Sequence, residues 1–199
     1  MRRIYFDTNK KSEFIKRFPE ILKSVSGKSL IISLIQENRE LEDVLDVLDM
    51  IIYDNSDYIS NIIDFDKAIL ELDDENYLLP SSYKMKNTDF DFELLNKDIE
   101  SFLDEEIKNI FILFDDNLKI DNKPDTIKIV DENSEEANNV IIIGKNHNID
   151  KFSNIRGFLN DDEDDFNELI ENIINDNYII KKEKKGILEK IKGLFSRNG

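Results

Sequence analysis

Cysteine is absent from the 199-residue chain, and long hydrophobic runs are absent too. A chain without cysteine forms no disulfide, offers no catalytic thiol and builds no thiolate metal site, so a reducing cytosol is the simplest compartment. The apolar runs, such as Val140 to Ile143, fall far short of the roughly 18 residues needed to cross a bilayer. The N-terminal segment also lacks the apolar stretch of a signal peptide. We therefore expect a cytoplasmic protein that neither spans a membrane nor is secreted.

Positive charge is scarce and unevenly placed. The formal net charge is −17, which argues against nucleic acid as a partner because affinity for phosphate backbones comes from clustered Lys and Arg. Residues 181–199 nevertheless hold seven basic side chains against two acidic ones, a charge of +5 that leaves −22 on residues 1–180. The length suits one globular core. We predict an acidic domain over residues 1–180 and a separate basic tail over residues 181–199.

Short Ile-, Leu-, Val- and Phe-rich runs alternate with segments of helical period. This alternation predicts an α/β fold with a mostly parallel central sheet flanked by helices. The predicted strands are Ile4–Asp7, Ser29–Leu34, Tyr77–Leu79, Ile110–Phe114, Thr126–Val130 and Val140–Ile143. Four amphipathic stripes predict helices that begin near Phe14, Leu41, Leu94 and Phe166. Pro19 is expected either to bend the first of these helices or to mark its first turn.

Glycine is missing where a phosphate-binding loop would need it. Such a loop lies between a strand and a helix, and its backbone N–H groups surround the phosphates. The tripeptide Gly27-Lys28-Ser29 instead follows a predicted helix and precedes a predicted strand, so Gly27 is interpreted as a helix-terminating glycine. The segment DTNKKSEF, residues 7–14, follows the first strand and contains no glycine. Its Cβ atoms would obstruct close approach of the backbone to a phosphate.

Several stretches resemble, in the same order, the MinD/ParA group of ATPases, which have a P-loop fold, and the MinD branch most closely. They are GKSLIISLIQENRELEDVL (27–45, with Arg39 and Leu41), IIYD (51–54) followed by YISNII, ENYLLPSS (75–82), NIFILFDD (109–116) and the ending KKEKKGILEKIKGLF (181–195). The resemblance implies a MinD-like fold. It also places Asp115 at the position of the Walker B aspartate and identifies the ending as a membrane-targeting tail.

The chain departs from the MinD/ParA group at the positions that bind and hydrolyse the nucleotide in that group. The glycine-rich Walker A loop is absent after the first strand, and Ser33 and Ile35 stand where the group has an acidic pair. Asp116 and Asn117 replace the Pro-Ala-Gly switch that follows the Walker B aspartate. Phosphoryl transfer requires metal, backbone donors and lysine together. We therefore expect no enzyme activity, no catalytic residue, no cofactor and no metal site, with Asp115 only a vestige.

The tail has the pattern of a helix that lies in the plane of a membrane surface. On a helical wheel its five large apolar side chains fall within about 120°. The predicted membrane-binding residues are Ile187, Leu188, Ile191, Leu194 and Phe195, together with Lys184, Lys185, Lys190 and Lys192. Lysines beside an apolar face favour an anionic lipid surface. The alternative, a C-terminal helix docked on the protein's own sheet, explains the apolar stripe but not the crowding of lysines.

These observations favour a nucleotide-independent, MinD-like pseudo-ATPase on the inner face of the cell membrane. By resemblance it would act in cell division, chromosome positioning or the placement of surface machinery, with a second copy or a MinD/ParA-like ATPase as partner. A divergent ATPase that binds nucleotide through Lys10, Lys11 and Asp115 is the first alternative. A soluble acidic adaptor for a basic protein, with a docked tail, is the second.

Overall fold

A computed structural model describes residues 1–9, 11–35, 38–83, 92–102, 106–115, 125–144 and 149–179. Its described part contains one eight-stranded sheet, in the order β3-β4-β2-β5-β1-β6-β7-β8. The strands are β1 Arg2–Asp7, β2 Lys28–Ser33, β3 Leu70–Glu71, β4 Asn76–Leu79, β5 Ile107–Phe114, β6 Thr126–Val130, β7 Ala137–Ile143 and β8 Phe152–Leu159. All neighbouring strands are parallel except the two-residue β3, which pairs antiparallel with β4. The predicted α/β class with a mostly parallel sheet is confirmed.

Helices cover both faces of the sheet. They are α1 Ser12–Ser24, α2 Glu40–Val44, α3 Asn55–Ile59, α4 Phe65–Ala68, α5 Phe92–Phe102 and α6 Glu163–Asn175, with a 3₁₀ turn at Leu48–Met50. The buried side chains of α1, α2 and α6 pack on one face of the sheet, and those of α3, α4 and α5 pack on the other. No described helix is long and apolar enough to cross a membrane.

The first helix forms the centre of the larger core. Phe14 and Phe18 of α1 are fully buried against Phe6 and Phe111 from the adjacent strands β1 and β5. Ring centroids 5.0 to 6.3 Å apart are in the range in which aromatic pairs attract beyond simple burial. Pro19 lies inside α1 and not in its first turn, so that part of the sequence expectation is wrong.

The second predicted helix is shorter than its apolar stripe. The stripe from Leu41 to Leu48 indicated one helix, but α2 ends at Val44 and the 3₁₀ turn begins only at Leu48. Between them Asp46 has φ 58°, a left-handed conformation that stops a right-handed helix. Leu41 is buried and Leu48 is exposed, so the stripe does not form one continuous core face.

Strand β8 has no counterpart in the sequence prediction. Its segment, FSNIRGFL, contains Ser153, Asn154 and the almost fully buried Arg156, so it lacks a continuous apolar run. A register shift in its pairing with β7 and a left-handed Asn154 (φ 48°) break the strict alternation of side chains as well. Gly157 allows close packing of α6, because a Cβ at that position would lie 2.7 Å from the Cβ of Leu169.

Candidate functional site

The carboxyl ends of the parallel strands meet along one edge of the sheet, where ligands bind in open α/β folds. Gly27 is not at this edge: it has φ 85° and precedes β2, in the turn from α1. It lies between helix and strand as expected, but it does not terminate the helix, because α1 ends at Ser24 and its C-cap is Val25 in an extended conformation. The segment to examine for a phosphate cradle is therefore the turn from β1 to α1.

That turn is short and closed on itself. Only residues 8–11 separate the end of β1 at Asp7 from the start of α1 at Ser12. The backbone N–H of Lys11 donates to the carbonyl of Thr8 at 2.8 Å, and the N–H of Asn9 donates to the Asp7 carboxylate at 3.2 Å. Thr8 is almost fully buried, and both its N–H and its hydroxyl donate to the carbonyl of Phe114. The described amides of this turn are thus engaged by acceptors of the protein itself.

Acidic side chains surround the N-terminus of α1. Lys11 forms an ion pair with Asp131, which follows β6, and the hydroxyl of Ser12 donates to Glu40 at the start of α2. The hydrogen bond from Lys11, together with those from Ser134 and the backbone of residue 133, holds the pKa of Asp131 below its usual value. Glu13 adds a further negative charge in the first turn of the helix. The helix N-terminus thus already has acidic neighbours from its own chain.

Asp115, which the sequence resemblance places at the position of the Walker B aspartate, directly follows β5 and is fully buried. Ser33, which stands where the resemblance has an acid, is fully buried at the end of β2. Lys10, Asp116, Asn117 and the nine predicted tail residues lie outside the described residues. Of the predicted nucleotide-binding alternative, the structure therefore describes Lys11 and Asp115 but not Lys10.

Three of the stretches that carried the resemblance meet at this edge in one polar cluster, which we call the Arg39 cluster. It comprises Arg39 and Glu42 from the β2–α2 segment, Asp54 and Asn55 at the start of α3, and Ser81 after β4. The guanidinium of Arg39 lies 2.7 Å from the carboxylate of Asp54 and donates to the carbonyl of Ser81 at 3.0 Å. It also stacks over the ring of Tyr83, 4.6 Å from the centroid.

Further hydrogen bonds to the backbone hold the Arg39 cluster, although within the described part of the chain Glu42 Oε2 and Asn55 Oδ1 are buried and accept no hydrogen bond. The buried carboxylate of Glu42 accepts the N–H of Ser81 at 2.6 Å, and the amide side chain of Asn55 donates to the carbonyl of Ser33 at 2.9 Å. Asp54 caps α3 by accepting the N–H and hydroxyl of Ser56. Burial works to raise the pKa of Asp54, but the hydrogen bonds from Ser56 and Ser82 and the charge of Arg39 hold it below the usual value.

Sequence reasoning found Arg39 through the resemblance but missed its neighbours. Asp131 had a usable signal, because an acid directly after a predicted strand lies at the ligand-binding edge of a parallel sheet. Glu42 had none, since its position in an apparently amphipathic helix predicts an exposed side chain. Among the described residues no group of three or more His, Cys, Asp or Glu is arranged to hold a metal. The geometry supports structural cohesion at this edge.

The fold is that of MinD and of plasmid partition proteins. No protein family and no curated protein matches the chain in sequence. A chain of the MinC:MinD cell division protein complex of Aquifex aeolicus is similar with TM-score 0.64 and 13% identity, over 92% of this chain and 99% of that one. MinD from the same organism is similar with TM-score 0.60 and 14% identity, over 91% of this chain and 100% of that one. A plasmid partition protein from Borrelia burgdorferi is similar with TM-score 0.53 and 13% identity, over 87% of this chain and 96% of that one. The fold implied by the sequence resemblance is confirmed: a MinD-like P-loop NTPase architecture.

Proposed function

We propose that this protein is a nucleotide-independent, MinD-like scaffold that works at the inner face of the cell membrane. The observation that carries the proposal is the closed turn between β1 and α1. A phosphate-binding loop needs several free N–H groups that converge on a phosphate, with glycines that let the backbone come close. The turn of residues 8–11 has no glycine, and the N–H groups of Thr8, Asn9 and Lys11 all have protein acceptors.

The charges around the turn also favour this proposal. A triphosphate would meet Asp7, Glu13, Glu40 and Asp131 near the N-terminus of α1, and the one described lysine of the turn is already paired with Asp131. The ATPase alternative would have to break that ion pair and expose Asp115, which is fully buried. Each step adds a cost that a nucleotide would have to offset.

The Arg39 cluster supports the proposal, because it gives the resembling stretches a structural role that needs no nucleotide. Arg39, Asp54 and Ser81 join three connections at the carboxyl edge and satisfy each other's buried polar groups. Buried polar groups without partners would cost about 1–3 kcal/mol each. Selection for folding alone would therefore retain these residues.

The tail supplies the membrane contact in this proposal. Partial burial of Ile187, Leu188, Ile191, Leu194 and Phe195 in lipid, with about 1 kcal/mol for each lysine near an anionic surface, would offset the ordering of a short helix. A protein partner is proposed by analogy with MinD, which is found in a complex with MinC. The process would be cell division, chromosome positioning or the placement of surface machinery.

Two measurements test the proposal. Calorimetric titration of the full chain with Mg-ATP should give no binding heat, and a measurable affinity would support the divergent ATPase instead. Flotation with anionic vesicles should carry the full chain upward, and Ile191→Asp on the apolar arc should abolish this. Ser196→Asp, which adds the same charge about 180° from Ile187 on the helical wheel, is the matched control and should weaken flotation only slightly. Equal effects of the two substitutions would favour a soluble adaptor.

A further inference from the structure

On the side of the sheet where α3, α4 and α5 pack, an apolar area over strands β6 to β8 is buried although no described helix packs on it. This face, which we call the β6–β8 face, consists of Val130, Val140, Ile142, Phe152 and Ile155, each between 0% and 3% exposed. Side chains alternate along strands, so it is the face opposite the one where Ile129 and Ile141 pack with α6. Within the described chain, no helical residue belongs to this cluster or packs against it.

The connections between these strands are too short to supply a helix. Parallel neighbours usually need a crossover of about a dozen or more residues, most often helical. Here residues 131–136 join β6 to β7 and residues 144–151 join β7 to β8. Of the described residues in these two connections, Ile149 packs against the β6–β8 face, and the ammonium of Lys151 lies over the ring of Phe152, 5.0 Å from its centroid. The face therefore depends on another part of the chain for its cover.

The end of the described chain leads onto this face. Helix α6 packs on the opposite side of the sheet, and after Asp176 the chain runs along the edge strand β8. There the N–H of Ile179 donates to the carbonyl of Ile155 at 2.7 Å, and the Ile179 side chain packs against the β6–β8 face. Arg156 of β8 fixes this path by donating to the carbonyl of residue 177 and to the hydroxyl of Tyr178. The C-terminal tail thus starts at the β6–β8 face.

The tail has the composition and length that this face requires. Outside the described residues, 145–148 contains no apolar side chain and 116–124 contains Leu118 and Ile120, whereas 180–199 contains six. A helix over residues 187–195 would be about 13 Å long, and three strands span about 10 Å. Residues 180–186, extended, could reach up to about 23 Å from Ile179.

Charge complements the apolar fit. The connection 131–136 reads Asp-Glu-Asn-Ser-Glu-Glu, and Glu132, Glu135 and Glu136 are exposed beside the β6–β8 face. With the apolar arc of the tail on the face, Lys190 and Lys192 would lie off that arc and available to these carboxylates. A second acidic groove of about 480 Å³, lined by Asp64, Asp66 and Asp98 between α4 and α5, offers similar charge. No described residue of the chain leads from Ile179 toward that groove.

We propose that residues 187–195 dock in cis as a helix on the β6–β8 face, and that the tail must leave this face to bind a membrane. This inference rests on the proposed membrane function of the same tail and adds its regulation. The apolar side chains that would enter lipid are the ones that cover the sheet, so the two states exclude each other. Membrane binding is then weakened by the stability of the docked state, and any partner that covers the β6–β8 face would release the tail.

Cysteine cross-linking tests the docked state directly, because the chain has no cysteine of its own. Glu136→Cys with Lys190→Cys, in the full chain, should cross-link within one molecule through a short bis-maleimide, and anionic vesicles should suppress the product. Asp66→Cys with Lys190→Cys tests the acidic groove and should give several-fold less product. Equal yields from the two pairs, a preference for Asp66, or a product only between molecules would each overturn docking in cis on this face.

Charge reversal tests the regulatory consequence. The triple variant Glu132→Lys, Glu135→Lys, Glu136→Lys should weaken docking and raise the fraction bound to anionic vesicles several-fold. The control Glu71→Lys, Asp74→Lys, Glu75→Lys makes the same charge change on exposed residues at the β3–β4 end of the sheet. An equal rise in both would show bulk charge alone and would overturn regulation by docking. If the Glu136–Lys190 pair cross-links but no variant binds vesicles, docking is supported and the proposed membrane function is refuted. If the protein binds vesicles but the pair does not cross-link, the membrane function is supported and docking is refuted.

Discussion

Arg39 and Asp54 are 15 positions apart in sequence, yet their charged groups lie 2.7 Å apart at the carboxyl edge of the sheet, and both side chains are largely buried. Arg39 reaches this position from a left-handed backbone conformation with φ 49°. It also holds the carbonyl of Ser81 and covers the ring of Tyr83. This one side chain therefore joins the segments that follow β2 and β4 to the start of α3.

Arg39→Ala should destabilise the fold by about 2–4 kcal/mol, because it removes the counter-charge of the buried Asp54 carboxylate and the guanidinium that donates to the Ser81 carbonyl. Urea denaturation followed by circular dichroism measures this change. The control is Lys67→Ala, which removes an exposed i,i+3 ion pair with Asp64 and should change the stability far less, because solvent screens the pair. A similar loss in both variants would mean that the Arg39 cluster contributes no more than a surface pair.

The pKa of Asp54 makes the stability of the Arg39 cluster depend on pH. This pKa is lower in the folded protein than the usual 3.8, so between the two values the unfolded chain binds more protons than the folded one. The contribution of Asp54 to the free energy of unfolding is fully present above its pKa in the unfolded chain, and it is lost as the pH falls through its pKa in the folded protein. The free energy of unfolding should therefore decline below about pH 5.

Asp54→Asn isolates this contribution. The variant should be less stable than the wild type at neutral pH, and the difference between the two should shrink as the pH is lowered from 6 toward 3. Parallel denaturation series at each pH measure this difference. Asp73→Asn, at an exposed turn whose carboxylate also has a lowered pKa, is the comparison variant, and its difference from the wild type should shrink in the same direction as the pH falls. A wild-type advantage that stayed constant down to pH 3 would contradict the assignment.

The sequence could predict most of the central strands because they are buried on both faces and read as continuous apolar runs. The run Ile110–Phe114 belongs to β5, and every residue of it is fully buried. Strand β8 escaped prediction because its core position is held by Arg156, whose burial depends on acceptors far along the chain. The contact between Arg39 and Asp54 could not be predicted either, since it follows from where β2, α3 and β4 are placed by the sheet.

Arg156 should be the residue that holds the start of the tail against β8. It is 2% exposed, donates to the side chain of Asn139 at 2.8 Å, pairs with Asp176 at 2.6 Å and stacks on Tyr178 at 4.0 Å. Arg156→Lys keeps the charge but loses the planar guanidinium and most of its hydrogen bonds, so it should lower the free energy of unfolding by about 2–3 kcal/mol. It should also speed amide hydrogen exchange at Ile179, whose N–H bonds to β8.

Hydrogen exchange with mass-spectrometric readout separates a general loss of stability from a local loss of protection at the start of the tail. Arg2→Lys serves as the control, because Arg2 is exposed and its hydrogen bond to Asn109 is long, at 3.4 Å. Protection of residues 176–179 should fall in Arg156→Lys and stay unchanged in Arg2→Lys. If protection is lost equally throughout α6 and β8, Arg156 stabilises the whole sheet edge and has no particular role at the tail.

Joining two copies of the protein should strengthen membrane binding far more than twofold. A single tail with nine residues in its apolar segment contains Gly193 inside that segment, which costs about 1 kcal/mol of helix stability relative to Ala. On the proposed membrane function, a single tail should therefore bind reversibly and weakly. Once one tail of a dimer is bound, the second is held near the surface at a high effective concentration, and avidity gains of about 10²–10⁴ are typical.

An N-terminal coiled-coil fusion should thus lower the lipid concentration for half-maximal flotation by at least tenfold. The same fusion with Ile191→Asp in its tails should lose this gain, because avidity multiplies an affinity that must already exist. A gain that survives Ile191→Asp would assign membrane binding to a surface other than the tail.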